Sequence, residues 1–169
     1  MDAFVEKLVA KKKKPIDYAI SFAIIAGGFV VAAAAFMYLG GLLQTFVFPV
    51  AVAIIYFAYR LNQQNNIEFE YIVTNGSLDI DKIIAQRKRQ RIFSSDCKDF
   101  EVLAKVKSPN YGKHIESIPK KINAVSAGDP DGEYFIVLSY KGVRTVVYFE
   151  PNERMLDNFR RFIPRKMLN

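Results

Sequence analysis

The residues of this chain that are best suited to bind a charged ligand are basic, and they form two blocks. They are Lys11, Lys12, Lys13 and Lys14, followed much later by Arg87, Lys88, Arg89 and Arg91. On a strand, the three arginines of the second block project to one face. Guanidinium groups in a row hold phosphates or carboxylates through paired hydrogen bonds. The two blocks are therefore the predicted contact sites for anionic lipid or an acidic partner.

The arginines have a second interpretation, which is structural. Asn75-Gly76 is a strong signal for a two-residue hairpin turn. Such a turn pairs Tyr71 with Ile80 on the inner face of the hairpin and places Glu70 beside Asp81 on the outer face. Like charges placed opposite each other are unfavourable by a few tenths to about 1 kcal/mol. A neighbouring strand that carries arginines would relieve this repulsion, so the block either binds a ligand or neutralises its own sheet.

Other residue types that perform catalysis or hold metals are sparse. Cys97 is the single cysteine, which excludes an internal disulfide and fits a reducing compartment. His114 is the single histidine, and we expect it in an exposed loop. Asp79 and Asp81 share a face, but no third ligand is spaced to complete a metal site with them. We therefore predict a protein that is not an enzyme and that needs no metal or other cofactor.

A long run without charged residues, Tyr18–Tyr59, follows the lysine block. A transmembrane helix needs about 20 apolar residues, and the run is about twice that long. Paired glycines end helices and open turns, so Gly40-Gly41 divides the run. The sequence therefore predicts a two-helix transmembrane hairpin within residues 16–60, with spans at about 18–39 and 42–59.

The flanks of the predicted hairpin are basic, with the lysine block before it and Arg60 after it. Short loops rich in Lys and Arg stay in the cytoplasm. We therefore expect a multi-pass protein of the cell membrane, with two spans and both termini cytoplasmic. A cleaved signal peptide is the competing interpretation, but a second apolar stretch follows at once. Residues 1–15 are predicted as a basic amphipathic segment, either a helix in the headgroup plane or a frayed tail.

The hydrophobic period changes from helical to alternating after a polar linker at residues 61–66. Turn signals rich in Gly, Pro, Asn and Asp separate short apolar runs. A C-terminal amphipathic helix follows, opened by Pro151 and stopped by Pro164, with Met155, Phe159, Phe162 and Ile163 on one stripe. Seven strands are predicted, at residues 67–73, 78–84, 87–93, 100–106, 121–127, 134–140 and 143–149.

The segment from Phe69 to Ile83 is an aromatic-rich strand that leads through a Thr-Asn turn into an aliphatic strand. It resembles the opening hairpin of bacterial pleckstrin-homology-like (PH-like) domains. The whole layout is similar to a family of small bacterial membrane proteins of unknown function. The resemblance implies a membrane α-helical hairpin plus a cytoplasmic α+β domain at residues 67–169. That domain would be a seven-stranded antiparallel, partly open barrel or sandwich capped by a C-terminal helix.

The resemblance has one departure that concerns ligand binding. Phosphoinositide-binding PH domains place basic residues around their first strand–strand loop. The corresponding loop here, Asn75-Gly76-Ser77, carries no charge. Inositol-lipid recognition of the familiar kind is therefore not expected.

Composition and layout together favour a binding role at a membrane. The chain has a net charge of +7, which suits an anionic inner leaflet. Nucleic acid is not expected as a partner, because a tethered domain is poorly placed for it. We predict a non-catalytic membrane-anchored interaction module, whose partners are the bilayer with its anionic lipids and an unidentified protein or peptide. The alternative is an accessory subunit of a larger membrane complex, assembled through the hairpin. The oligomeric state stays open.

Overall fold

The computed structural model of the chain describes residues 4–13, 15–38, 44–63 and 66–168. It divides into two compact units. One unit combines Met1–Lys12 with Ile67–Asn169, and the other is Lys13–Asn66. The first unit holds the sheets and is discontinuous in sequence. The second unit is helical and is inserted into the first.

The helical unit consists of α1, Pro15–Tyr38, and α2, Gln44–Gln63, which contact each other. Proline is favoured at the first position of a helix, where its missing N–H leaves no hydrogen bond unmade. Among the described residues, one helix, α1, is long and apolar enough to cross a membrane, judged by length and composition. The apolar part of α2, Phe48–Phe57, is shorter. The predicted break at Gly40-Gly41 lies outside the described residues.

The N-terminal segment is a strand, so both the predicted interfacial helix and the frayed tail are wrong. Strand β1, Phe4–Ala10, pairs antiparallel with β2, Ile67–Thr74. Val5 and Val9 face the core, whereas Phe4 and Leu8 are exposed on the other face. This alternation is the period of a half-buried strand. Seven residues carry too little pattern to separate it from an amphipathic helix, and the pairing partner lies far away in sequence.

The first sheet has the order β1-β2-β3-β4, where β3 is Ser77–Ile84 and β4 is Lys88–Asp96. The predicted register is confirmed, because Tyr71 pairs with Ile80 and Glu70 pairs with Asp81. Asn75 and Gly76 both have positive φ, as this kind of turn requires. Asp96 caps the short 3₁₀ turn that follows β4 by accepting from Lys98 N at 2.9 Å.

The second sheet has five strands and includes two parallel pairs. The strands are β5 Phe100–Lys105, β6 Lys120–Asn123, β7 Tyr134–Tyr140, β8 Val143–Phe149 and β9 Met167–Leu168. Their order is β6-β8-β7-β5-β9, in which β6 pairs parallel with β8, and β9 pairs parallel with β5. A one-turn helix, α3, Lys113–Glu116, precedes β6.

The described residues therefore contain nine strands in two sheets that do not close into a barrel, so the predicted count of seven is wrong. A strand is present near each predicted position, and β1 and β9 are additional. Seven of the nine strands pair with one another only in the antiparallel sense, and these are β1 to β5, β7 and β8. Because β1 is the first of these, the helical unit interrupts the sheet domain between its first and second strands.

A C-terminal helix, α4, covers the core between the sheets. It spans Glu153–Phe162, two residues later than the predicted start at Pro151, and Asn152 caps it. Met155 and Phe159 are fully buried, but Phe162 is exposed, which corrects one position of the predicted stripe. The core that they join contains aromatic residues from both sheets, including Tyr71, Phe93, Phe100 and Phe149.

Candidate functional site

Two arginines of β4 lie against three carboxylates of β2 and β3. Arg89 Nη2 is 2.9 Å from Glu70 Oε1. Arg91 bridges both acids of β3, with Nη1 2.6 Å from Asp79 Oδ2 and Nη2 3.2 Å from Asp81 Oδ2. We call these five residues the arginine–carboxylate ladder. The ladder matches the structural interpretation of the arginine block, in which the arginines neutralise the acidic residues of their own sheet.

Strand register produces the ladder. Glu70 lies opposite Asp81, and Asp81 lies opposite Arg91, so the three residues form one cross-strand row. Only 5% of Glu70 and 2% of Asp81 are exposed, whereas the two arginine side chains are about half exposed. Burying a carboxylate is costly unless it is paired. A phosphate ligand would therefore have to compete with these acids for Arg89 and Arg91.

Glu70 is the least well satisfied group of the ladder. Burial raises its pKa above the usual range, and the neighbouring carboxyl of Glu6 on β1 adds to the rise, while Arg89 opposes it. Its Oε2 atom is buried and has no hydrogen-bond partner among the described groups.

The basic residues that stay outside the ladder gather at one end of the first sheet. Lys11 N donates to Ile67 O at 2.9 Å, Ile67 pairs with Ile84, and Ile84 pairs with Lys88. Adjacent strands are about 4.8 Å apart, so the backbones of Lys11 and Lys88 are separated by roughly 14 Å. We call the exposed residues Lys11, Lys12, Arg87 and Lys88 the basic end.

The two predicted blocks are thus brought together in part. Arg87 lies in the turn before β4, not on the strand as predicted, and within the described residues neither Arg87 nor Lys88 has an ion-pair partner. Lys12 Nζ donates to Gly128 O at 3.2 Å. Lys13 lies 5.9 Å from the ring centroid of Tyr18. Lys14 lies outside the described residues.

A groove of about 490 Å³ lies beside α4, at the entry to β7. Its wall carries charges of both signs, including Lys105, Asp131, Glu153 and Arg160. Lys105 Nζ lies 5.8 Å from the ring centroid of Tyr134. The neighbouring edge of β5 is already occupied, because Leu103 N donates to Lys166 O at 2.9 Å just before β9. The chain itself therefore takes the place that an added strand would need on β5.

The single cysteine and the single histidine lie in different environments. Cys97 is fully buried, and burial raises the pKa of its thiol to about 11, so the reactive thiolate is suppressed. His114 is exposed as expected, but on α3 and not in a loop. Among the described residues, no group of three His, Cys, Asp or Glu could hold a metal ion. Asp79 and Asp81 are instead both bound to Arg91.

Sequence reasoning missed two contributors to these surfaces. One is β1, which places Glu6 beside Glu70 of the ladder and forms a sheet edge with which no described strand pairs. The other is the basic face of α4, with Arg154 and Arg161. The spacing of seven residues between these arginines places them on one face of a helix, and this signal was available in the sequence.

Comparison with known proteins agrees with the architecture. The family model described as Bacterial PH-like domain (DUF6106) matches residues 1–169. A search of curated proteins and a search of solved structures each found no match to this chain. The matched range includes β1 and the helical unit as well as the sheets, so the inserted helices are part of the family's pattern. The chain belongs to the bacterial PH-like domain family (DUF6106).

Proposed function

We propose that this protein is a non-catalytic, membrane-anchored interaction module. The helical unit holds the sheet domain at the inner membrane surface, and the basic end of that domain contacts anionic headgroups. Membership of a PH-like family supports the interaction role, because PH-like domains are generally not enzymes. The buried thiol of Cys97 and the arginine-bound acids of β3 are consistent with it.

One observation carries the proposal: the chain leaves and re-enters the sheet at a single place. Lys11 and Ile67 are joined by a backbone hydrogen bond, so both ends of the helical unit start on the same side of any membrane. A single crossing would separate them by a hydrocarbon core of roughly 30 Å. If α1 crosses, α2 must therefore return. This supports two spans, although the apolar part of α2 is short.

The charges favour the inner side of the membrane. Lys11, Lys12 and Arg60 flank the helical unit, and positive flanks stay in the cytoplasm. Anionic lipid attracts each basic residue near the surface by about 1 kcal/mol. The basic end belongs to the same end of the sheet as the two connections to the helices. Lipid contact therefore requires no rearrangement of the sheet domain.

Vesicle flotation tests the lipid contact. Residues 13–66 are replaced by a short Gly-Asn turn, because the hydrogen-bonded Lys11 and Ile67 need only a hairpin connection. The variant is checked for folding by circular dichroism. We expect it to float with vesicles that contain phosphatidylglycerol and not with pure phosphatidylcholine vesicles, and to dissociate in 0.5 M salt.

A matched pair of double substitutions locates the contact. Arg87→Glu with Lys88→Glu changes the basic end, whereas Lys113→Glu with Lys121→Glu makes the same change of net charge elsewhere. We expect the first pair to abolish flotation and the second to weaken it only slightly. Equal losses would show that net charge alone drives binding and would refute the assignment to the basic end.

A second candidate function, accessory subunit of a membrane complex, is favoured by the surface of α1. The described part of α1 has no buried residue, although it contacts α2. A Cβ atom added at Gly27 would meet no atom within 4 Å. The face with Ala23 and Gly27 is therefore open to another helix. Under this function, Gly27→Leu should abolish co-purification of the partner subunit, whereas under the leading proposal it should change nothing.

A further inference from the structure

A second groove lies between β1 and α4. It has a volume of about 210 Å³ and is lined by Val5, Arg154, Asp157, Asn158 and Arg161. Its helical wall is fixed in place, because Asn158 Oδ1 accepts from Gly76 N at 3.1 Å and Phe159 is fully buried. The groove is therefore preformed on one side by a helix and on the other by the edge of a sheet.

The backbone groups of β1 show which of its residues this edge offers. Lys11 N donates to Ile67 O, which makes these residues a hydrogen-bonded pair of the antiparallel ladder. Bonded and non-bonded pairs alternate along such a ladder. Val9, Lys7 and Val5 are therefore bonded to β2, whereas the N–H and C=O groups of Glu6 and Leu8 point away from it. In the described part of the chain, no strand pairs with this second side of β1.

The helical wall carries more positive than negative charge. Arg154 and Arg161 are exposed and two helical turns apart, which is about 10.5 Å. Asp157 lies between them, but it is paired with Arg160 at 2.7 Å. Within the described residues, Arg154 and Arg161 have no ion-pair partner. The groove therefore combines open backbone hydrogen bonds with unneutralised positive charge.

We propose that this groove binds an extended acidic segment of a partner protein, which adds to β1 as an outer strand. The main chain of the segment would pair with Glu6 and Leu8, and its carboxylates would reach Arg154 and Arg161. A second copy of this chain fits less well, because pairing of two β1 edges would bring two sets of α4 arginines together. This inference rests on the interaction role proposed above and names the surface and the chemistry of the partner.

Fluorescence anisotropy with the full chain in neutral detergent tests the proposal. The probe is a fluorescein-labelled decapeptide of alternating Glu and Val, and the control probe alternates Lys and Val. We expect binding of the acidic probe only. Arg154→Glu with Arg161→Glu should weaken binding at least tenfold, whereas Lys113→Glu with Lys121→Glu, which changes net charge equally, should weaken it less than threefold.

Leu8→Pro tests the backbone pairing. Proline at this position removes an N–H that points away from β2, so the ladder between β1 and β2 stays intact. Near-ultraviolet circular dichroism checks that the fold is retained. We expect at least a tenfold loss of affinity for the acidic probe, together with unchanged flotation of the domain on anionic vesicles.

Three results would overturn the inference. Equal losses of affinity with both pairs of charge reversals would show that net charge alone determines peptide binding. Full binding by a folded Leu8→Pro variant would exclude strand addition. A concentration-dependent dimer that Leu8→Pro dissolves would assign the groove to a second copy. The anisotropy assay contains no anionic lipid, so a negative result in it does not bear on the lipid contact of the basic end. A negative result in the flotation assay likewise does not bear on peptide binding in the groove.

Discussion

Within the arginine–carboxylate ladder, substitution of Arg91 should lower the stability of the fold the most. Its guanidinium contacts Asp79 at 2.6 Å and also binds Asp81, which has a side chain only 3% exposed. In Arg91→Met, the stem of the side chain is kept and the charge is lost. The carboxylate of Asp81 would then be buried without a partner.

The magnitude follows from burial. Removing one partner of a fully buried ion pair costs about 3–5 kcal/mol. The side chain of Arg91 is 47% exposed, so solvent already screens part of the interaction. We therefore expect the free energy of unfolding to fall by about 2–3 kcal/mol. For a chain of this size, that corresponds to a decrease in Tm of roughly 5–10 °C.

Thermal unfolding in neutral detergent, followed by near-ultraviolet circular dichroism, measures this decrease. Arg87→Met is the matched control, because Arg87 belongs to the same basic block but lies in the exposed turn before β4. It should change the free energy of unfolding by less than about 0.5 kcal/mol. Adding Asp81→Asn to Arg91→Met should restore part of the loss, since the unpaired charge is then gone. Similar effects of Arg91→Met and Arg87→Met would refute the reasoning.

Three further predictions concern other parts of the sheet domain. Burial holds the pKa of Glu70 above its usual range, so the carboxyl of Glu70 binds its proton more tightly in the folded state than in the unfolded state. The free energy of unfolding therefore falls as the pH rises through the folded pKa. Glu70→Gln should therefore raise the Tm at pH 7 relative to the parent, with the difference vanishing near pH 4, and a lower Tm at pH 7 would contradict this. Cys97, with its thiol pKa raised to about 11, should resist iodoacetamide at pH 8 in the native protein and react in urea, as followed by mass spectrometry. Gly76→Ala should lower the free energy of unfolding by at least about 1 kcal/mol more than Gly142→Ala does, as measured by thermal unfolding. Both glycines have positive φ, but only at Gly76 would an added Cβ lie 3.0 Å from Cys97 Sγ.

The register of the first hairpin could be predicted because local chemistry determines it. A two-residue turn at Asn75-Gly76 fixes which residues face each other, and alternation then assigns the faces. The ion pairs of Arg91 depend in addition on a register shift between β3 and β4 at Ile80/Asp81, which places Arg91 opposite Asp81 and which the hairpin turn does not specify. The structural interpretation of the arginine block rested only on the acidic outer face of the hairpin, and the ion pairs are present.

The parts that could not be predicted depend on contacts between distant segments. The pattern of β1 is equally compatible with a membrane-surface helix or a frayed tail, because its partner β2 begins only at Ile67. β9 has two residues, which is too short for any periodic signal. The parallel pairing of β6 with β8 likewise depends on the path of the loop that precedes it. Local propensity says little where pairing is decided by tertiary contacts.

The placement of the helical unit between β1 and β2 couples that unit to the stability of the sheet. Closing a flexible loop of about 55 residues costs roughly 3–4 kcal/mol by the logarithmic dependence on loop length. Helices that run across the bilayer and back would bring Lys11 and Ile67 together before the strands pair, and would remove most of that cost. The pairing of β1 with β2, and with it the groove beside α4, would then be more stable in the inserted protein.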